Sequence, residues 1–403
     1  MAILMGLPRH SHNLENLTAS FLVDREDLLS QLVRPTQRLS QQGEDLRCRC
    51  RTKKLVFYRV RFSILLGRTS TKKNHRRYPV LTLFIAVMSS HSTNAPKPDL
   101  SKILTPALYT DIYKLAFPWT HKPDGSLDIK WIADFLFRGV PNPSREIYDK
   151  LHHQVLKPIS VYCPLVPQDI VSGSYLPSPT DPLYPERVFA LLSILDQAPR
   201  RLYSARGLNS RYTFGYFDQI SHELVKTLIS KNAFPDTTEA LTKLGYSFED
   251  ALIRRSWIYT PLVHSEDFAD HELMEGKTEA IRKEVEVYSG RTDPYRATKD
   301  KDAQDPTVFR KLIFAGPPES NDFADFMFWL FRVYDVHATI IRRYGQYPYR
   351  NVALGRMSTE DEKRFLEETD WFGQPMLTEE EVKKIRKQKE EGVWEPLHDG
   401  RPE

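Results

Sequence analysis

Apolar residues recur at helical spacing from about residue 100 onward, which restricts most of this chain to a helical fold. In the segment that begins at Pro185, the side chains of Val188, Leu191 and Leu195 share one helix face. Proline fits the first turn of a helix and disfavours its continuation, so we expect this helix to end near Pro199. Alternating strand patterns are scarce after residue 100. The sequence therefore predicts an all-α fold, an array of antiparallel helix hairpins.

Polar residues mark several of the expected helix ends. Thr359 and Thr378 each precede a glutamate by three residues, in the order of a capping box. Ser247 and Ser265 are good N-cap residues, because a short hydroxyl side chain accepts a hydrogen bond from the first turn. Gly392 fits the position that follows the last helix, where a left-handed backbone is common.

Two stretches interrupt the helical pattern. Residues 141–185 contain nine prolines, and residues 289–306 are polar and charged. We expect the first stretch to cross the surface as irregular chain and the second to be a mobile loop.

The net charge of +4 hides two regions of opposite sign. Residues 1–90 contain 16 basic and 6 acidic residues, a net of +10, and the remainder contains 41 basic and 47 acidic residues, a net of −6. We therefore predict a basic, poorly structured extension over residues 1–95. An all-α domain follows over residues 96–376, and a C-terminal helix and tail over residues 377–403.

Three interpretations of the basic extension stay open. It has no function if translation starts at Met88; it is a targeting segment, which would make the protein mitochondrial; or it binds nucleic acid through the alternating aromatic and basic residues at 58–62. We favour the first, because a targeting segment is acid-poor from its start, whereas four acidic residues lie between positions 15 and 27. The longest apolar run, 80–88, is too short to span a bilayer. We expect a cytoplasmic protein that binds neither membrane nor nucleic acid.

Cysteine usage and known catalytic motifs add little. Cys48 and Cys50 lie too close together in RCRCR for an easy mutual disulfide, and no Cys/His pair at zinc-finger spacing follows. We expect reduced thiols. A P-loop, a dinucleotide-binding glycine pattern and a His-Glu-x-x-His sequence are all missing, so we predict no cofactor.

Three separated segments resemble the signature blocks of a bacterial and fungal family called domain of unknown function 924. They are 195–200 (LDQAPR), 259–267 (YTPLVHSED) and 343–359 (RYGQYPYRNVALGRMST), and the resemblance covers about residues 186–368. It implies an α-helical fold like that of tetratricopeptide repeats, with no established activity. A clean 34-residue repeat is not visible in the sequence itself.

The charged residues of these blocks are candidates for binding an anion. Arg200, Arg343, Arg350 and Arg356 carry guanidinium groups, whose planar donors suit a phosphate or a carboxylate. Asp196 precedes Arg200 by four residues, a spacing at which the two side chains meet on a helix.

Acid–base chemistry would fall to other residues of the same region. His264 and His337 are candidate catalytic groups because histidine titrates near neutral pH. Glu266 or Asp267 is placed to orient one of them, and Asn351 to donate to a developing oxyanion.

A different interpretation assigns these side chains to a buried polar network that only holds helices together. In it, His337 is a core histidine, and Arg343 with Gly345 ends a helix. A metal interpretation is also open, because His264, Asp267 and His271 share one helix face, but a facing helix would have to supply further ligands. We predict no metal site.

Two functions follow. We favour a protein- or peptide-binding or scaffold module with a buried His/Arg/Asp network, because helical arrays of this kind offer concave surfaces. The alternative is an enzyme that acts on a small anionic or phosphorylated substrate through His264, His337, Arg350 and Asn351.

Overall fold

The computed structural model describes residues 56–61, 82–87, 97–138, 145–204 and 207–399. The chain divides into two units, one spanning Gly6–Asn94 and the other Ala95–Glu403 with Met1–Met5. In the first unit, strands β1 (Val56–Arg61) and β2 (Thr82–Val87) pair antiparallel, and the sequence patterns did not predict this pair. Cys48, Cys50 and Met88 lie outside the described residues.

The regular elements described in the second unit are all helices, which confirms the all-α prediction. The α-helices before residue 245 are α1 (Pro106–Ala116), α2 (Ile129–Ala133), α3 (Arg145–Leu151), α4 (Lys157–Ser160), α5 (Gln168–Val171), α6 (Tyr184–Leu192), α7 (Ala198–Tyr203), α8 (Ser210–Tyr212), α9 (Asp218–Ser230) and α10 (Thr238–Lys243). Those after residue 245 are α11 (Phe248–Ile258), α12 (Thr260–Val263), α13 (Phe268–Ser289), α14 (Lys299–Asp302), α15 (Val308–Ala315), α16 (Phe323–Tyr344), α17 (Glu360–Glu368) and α18 (Glu379–Glu391). Short 3-10 segments lie at Leu100–Lys102, Pro294–Thr298 and Pro348–Arg350. The likeness to tetratricopeptide repeats stays a prediction.

Wide π-helical turns join several of these helices. They lie at Asp134–Arg138, His152–Leu156, Ser193–Gln197 and Thr213–Phe217. Such turns are rare in proteins, and those that occur are often found at functional sites. The prediction that a helix ends near Pro199 was wrong, because α6 ends at Leu192 and a π-helical turn connects it to α7. Pro199 lies in the first turn of α7, where its missing N–H costs no hydrogen bond, so the helical path continues to Tyr203.

The two longest helices, α13 and α16, pack antiparallel in the core. Arg291, just after α13, pairs with Asp322 and Asp325 at the start of α16. At the other end, Arg342 of α16 lies over the ring of Phe268 at the start of α13, 5.2 Å from its centroid. Most side chains of α16 are buried, so this helix is the centre of the core.

The capping residues are largely as predicted. Thr359 and Thr378 form complete capping boxes, Ser247 caps α11, and Gly392 ends α18 with a left-handed backbone. The prediction for Ser265 was wrong, because α13 begins two residues later.

Asp267 caps α13 instead, by accepting a hydrogen bond from the backbone N–H of Ala269. The Ser265 hydroxyl accepts from the Asp267 N–H and donates to Asp270.

Both stretches that were expected to be irregular contain ordered, buried residues. Leu156 and Ile159 of the proline-rich stretch are fully buried. In the 289–306 stretch, Asp293 and Asp302 are buried against Arg282 and Arg332, at 2.9 Å and 2.8 Å. Ion pairs from α13 and α16 therefore hold a segment whose polar composition indicated mobility. No helix in the described part of the chain combines the length and the apolar character of a membrane span.

Candidate functional site

Charged residues from all three signature segments meet in the core. Asp196 lies on the π-helical turn after α6, Arg200 on α7, His264 after α12, and Arg350 at the end of the 3-10 segment before Asn351. A further carboxylate, Asp218 at the start of α9, lies between the two arginines. We call Asp196, Arg200, Asp218, His264 and Arg350 the buried network.

Asp196 and His264 form its first pair. Asp196 Oδ1 lies 2.7 Å from His264 Nδ1, and Arg200 Nε lies 3.1 Å from the same nitrogen. A protonated Nδ1 donates to Asp196, whereas a deprotonated Nδ1 accepts from Arg200. The Gln197 amide donates to the other oxygen. Burial alone would raise the pKa of Asp196, but His264 and Arg200 outweigh it and lower that pKa to about 2. Asp196 is therefore ionised at neutral pH and fixes the orientation of the imidazole.

The two arginines share the second carboxylate. Arg200 Nη2 lies 2.5 Å from Asp218 Oδ1, and Arg350 Nη1 lies 3.3 Å from Asp218 Oδ2. Arg350 Nη1 also donates to the backbone oxygen of His264, at 2.9 Å. The sequence patterns did not single out Asp218. The one feature that could have indicated it is a single carboxylate between Phe217 and Ile220, both of which are buried.

Arg350 is 2% exposed and is surrounded by aromatic rings. Its guanidinium carbon lies 4.3 Å from the ring centroid of Tyr347 and 5.1 Å from that of Phe214. Such rings stabilise a cation that has lost its water. Arg350 Nε and Nη2 have no hydrogen-bond partner among the described residues. The network thus neutralises the charge of Arg350 but does not use all of its donors.

Both candidate histidines are held in the neutral form. Burial, with the charge of Arg200, lowers the pKa of His264 more than Asp196 raises it. Burial also lowers the pKa of His337 well below its usual range, and His264 beside it adds to the shift. His337 Nδ1 donates to the Val333 oxygen one turn earlier, at 2.7 Å, and its ring centroid lies 6.3 Å from that of His264.

Other predicted residues lie near the network with partners of their own. Glu266 forms a bidentate ion pair with Arg356, at 2.6 Å and 3.0 Å. It also accepts a hydrogen bond from the Tyr347 N–H at 2.9 Å. Asn351 donates to the Ser358 hydroxyl at 3.1 Å. The Glu266 contacts fasten the turn after α16 to the loop before α13.

Arg343 does not join the network. Its side chain is 58% exposed and pairs with Asp361 of α17 at 2.8 Å. Gly345 adopts a left-handed backbone at the end of α16, as a helix-ending glycine does. Arg343 therefore belongs to the outer face of the helix whose inner face holds His337.

The three residues of the metal interpretation do not converge. Asp267 is exposed and caps α13, whereas His271 is buried and its Nε2 donates to the Ser265 oxygen at 2.9 Å. His264 is directed to Asp196. The metal interpretation required all three residues on one helix. Helix α13 begins at Phe268, after His264 and Asp267, so only His271 lies on it.

An apolar cleft lies on the other side of the Asp196 turn. It encloses about 490 Å³, part of which is open to solvent. Its lining comes from α1, α3, α7, α11 and two π-helical turns, and consists of Ile112, Leu115, Ala116, Phe135, Leu136, Leu151, Ser193, Gln197, Ala198, Arg201 and Trp257. A smaller pocket shares Ser193, Gln197 and Trp257 with this cleft and is also lined by Asp196. The buried network and the apolar cleft thus share one π-helical turn.

A polar cavity of about 560 Å³ lies between α13 and α16. Most of its charged groups are paired with one another, as Arg332 with Asp302 and Lys299 with Glu275. His264, His337 and Arg350 line neither this cavity nor the apolar cleft.

Comparison with known proteins identifies the region that contains the network. No curated protein and no solved structure matches the chain. Residues 177–370 match the model of a family described as bacterial protein of unknown function (DUF924). This segment includes all three predicted signature blocks and all five residues of the buried network. The match over residues 177–370 therefore confirms the predicted resemblance to the domain of unknown function 924 family.

Proposed function

We propose that this chain is a helical binding module, and that its apolar cleft takes an apolar segment of a partner protein. The observation that carries the proposal is the apolar lining of the cleft, to which Leu115, Phe135, Leu136 and Trp257 contribute. Proteins bind apolar ligands or the apolar face of a helix in clefts with such a lining.

The buried network supports this role as a scaffold for the cleft wall. Ser193 and Gln197 line the cleft on the same turn that carries Asp196. The Asp196–His264 and Asp196–Gln197 hydrogen bonds hold that turn in its wide form. A fully buried ion-pair network contributes little net stability but fixes one geometry. On this proposal the network determines the shape of the cleft.

Filling the cleft should abolish binding and leave the fold intact. Ala116 lines the cleft at the end of α1, so Ala116→Trp places a large ring in the opening without removing any contact. We expect peptides selected from a displayed random library on the native chain to bind this variant at least tenfold more weakly, as measured by fluorescence anisotropy.

The matched control is Val287→Trp on α13, where the side chain is 85% exposed and distant in sequence from the cleft. It should bind the selected peptides as the native chain does. Equal binding by both tryptophan variants, or no selected peptide at all, would contradict the proposal.

A second candidate function is an enzyme that acts on a small anionic substrate. It is favoured by one observation: Arg350 retains two donor nitrogens without a partner in the described structure, next to the Asp196–His264 pair. His264 Nδ1 faces both Asp196 and Arg200, so Nε2 is the nitrogen that would exchange a proton with the substrate.

A thermal-shift screen of the full chain tests this candidate. Inorganic phosphate, nucleotides and small carboxylates should raise the melting temperature if one of them binds, since 100 Kd of ligand stabilises a fold by about 2.7 kcal/mol. The shift should persist in Arg343→Ala, whose exposed pair with Asp361 lies outside the network. It should vanish in Arg200→Lys, which removes the planar donors. No shift of the melting temperature with any of these compounds would count against the enzyme hypothesis.

A further inference from the structure

Two consecutive histidines and a C-terminal aspartate lie together, away from the buried network. His152 and His153 occupy the π-helical turn His152–Leu156, and Asp399 belongs to the segment that follows α18. Asp399 Oδ1 lies 3.4 Å from His153 Nδ1 and 3.9 Å from His152 Nε2. All three ligand atoms lie within 4.8 Å of one another. None of these residues was selected from the sequence, because about 250 residues separate the histidines from the aspartate.

His152 is the residue that indicates a missing partner. Its side chain is 8% exposed, and Nε2 is buried without a hydrogen bond to any described residue. Its other nitrogen, Nδ1, lies 2.6 Å from the Tyr203 hydroxyl. Metal-binding histidines are usually oriented by such a second hydrogen bond, which fixes the free nitrogen toward the ion. A buried imidazole nitrogen is seldom left unpaired, so this one is suited to a further partner.

The types of ligand atom in this cluster also suit a metal ion. Neutral imidazole nitrogen and carboxylate oxygen are ligands that Zn²⁺ prefers. The His152 and His153 rings are nearly perpendicular, with centroids 4.7 Å apart.

We propose that His152 Nε2, His153 Nδ1 and Asp399 Oδ1 form a zinc site with one position left for water. Zinc bonds of about 2.0–2.1 Å at tetrahedral angles place ligand atoms roughly 3.3 Å apart. The observed 3.4 Å meets this value, and the 3.9 Å contact requires an inward shift of about half an ångström. The third pair, the two histidine nitrogens, lies within 4.8 Å. The ion satisfies the buried Nε2 atom of His152.

Lys157 would compete with the metal ion for the carboxylate of Asp399. Its Nζ binds Asp399 Oδ1, the same oxygen that faces the histidines. The Lys157 side chain is 34% exposed, so the ammonium group can turn into solvent when zinc takes its place. Removing this positive charge should strengthen zinc binding, an effect that a purely structural ion pair would not produce.

The site would fasten the end of the described chain to the helical body. Leu397 N–H already donates to the Ser160 hydroxyl at 3.1 Å, and the backbone of His398 exchanges two hydrogen bonds with Asn209. Zinc would add a bond from Asp399 to the turn before α4. The Asp399 contact would then depend on the metal as well as on Lys157.

Zinc titration of the full chain, with an indicator chelator as competitor, tests the proposal. The background is Cys48→Ser with Cys50→Ser, so that those thiols do not bind the ion. We expect one Zn²⁺ per chain and an affinity at least tenfold weaker in His153→Ala and in Asp399→Asn. Both side chains are more than half exposed, so these variants should fold. Lys157→Met should bind several-fold more tightly.

The matched control is His121→Ala, which removes an exposed histidine elsewhere. It should leave the affinity unchanged, and Co²⁺ should give the absorption of a tetrahedral site in the control but not in His153→Ala. Less than one ion per chain, or equal affinity in His153→Ala and His121→Ala, would overturn the proposal.

Discussion

Arg350→Ala should lower the free energy of unfolding by about 3–5 kcal/mol, the cost of breaking one side of a buried ion pair. The variant removes the cation that faces Asp218 Oδ2 and the donor to the His264 oxygen, both of them in the core. Arg200 still pairs with Asp218 Oδ1, so the carboxylate keeps one partner. The aromatic rings of Tyr347 and Phe214 would then face an empty space. Urea unfolding at neutral pH measures the loss.

Arg343→Ala is the matched control, an arginine of the same signature block with an exposed pair. Its contact with Asp361 is open to solvent, so its loss should cost about 0–1 kcal/mol. If Arg350→Ala also lost less than about 1 kcal/mol, the network would not hold the fold, and Arg350 would be free for a ligand. Loss of anion binding in such a stable variant would favour the enzyme.

The sequence contained enough information to separate some of the buried network residues from exposed ones. The signature blocks selected Asp196, Arg200, His264 and Arg350, which the structure brings together. Arg343 was grouped with them because it lies in the same block. Helical periodicity carried the opposite signal, since the apolar face of α16 includes positions 337, 340, 341 and 344 and leaves position 343 outside. A block of sequence shows which residues are close along the chain, whereas the periodicity shows which way each one faces.

Other features depend on long-range contacts that no local pattern records. The all-α fold and the capping boxes follow from spacing and from residue type within a few positions. The π-helical turns do not, because an extra residue in a turn is stabilised by its tertiary neighbours. Those turns carry Asp196 of the network and His152 of the proposed zinc site. Asp218 and Asp399 reach their partners only when distant helices pack.

Acidification from pH 6.5 to pH 5.5 should destabilise the chain through its buried histidines. Burial lowers the pKa of His264, His271 and His337, so the folded chain keeps them neutral while the unfolded chain takes up protons. Stability from this source is complete above pH 6.5 and is lost as the pH falls. Each such histidine contributes up to about 1.4 kcal/mol per pH unit, or up to about 4 kcal/mol for three. The depressed pKa of Asp196 acts separately, below about pH 4.

His337→Phe isolates one of these protons. The phenylalanine ring keeps the packing against Phe309, whose centroid lies 4.0 Å from that of His337, but it cannot be protonated. Urea unfolding at several pH values should therefore give a slope that is smaller by up to one proton than that of the native chain. His121→Phe, at an exposed position, should leave the slope unchanged. A native stability that is flat between pH 6.5 and 5.5, or an unchanged slope in His337→Phe, would mean that these imidazoles take up protons without leaving the core.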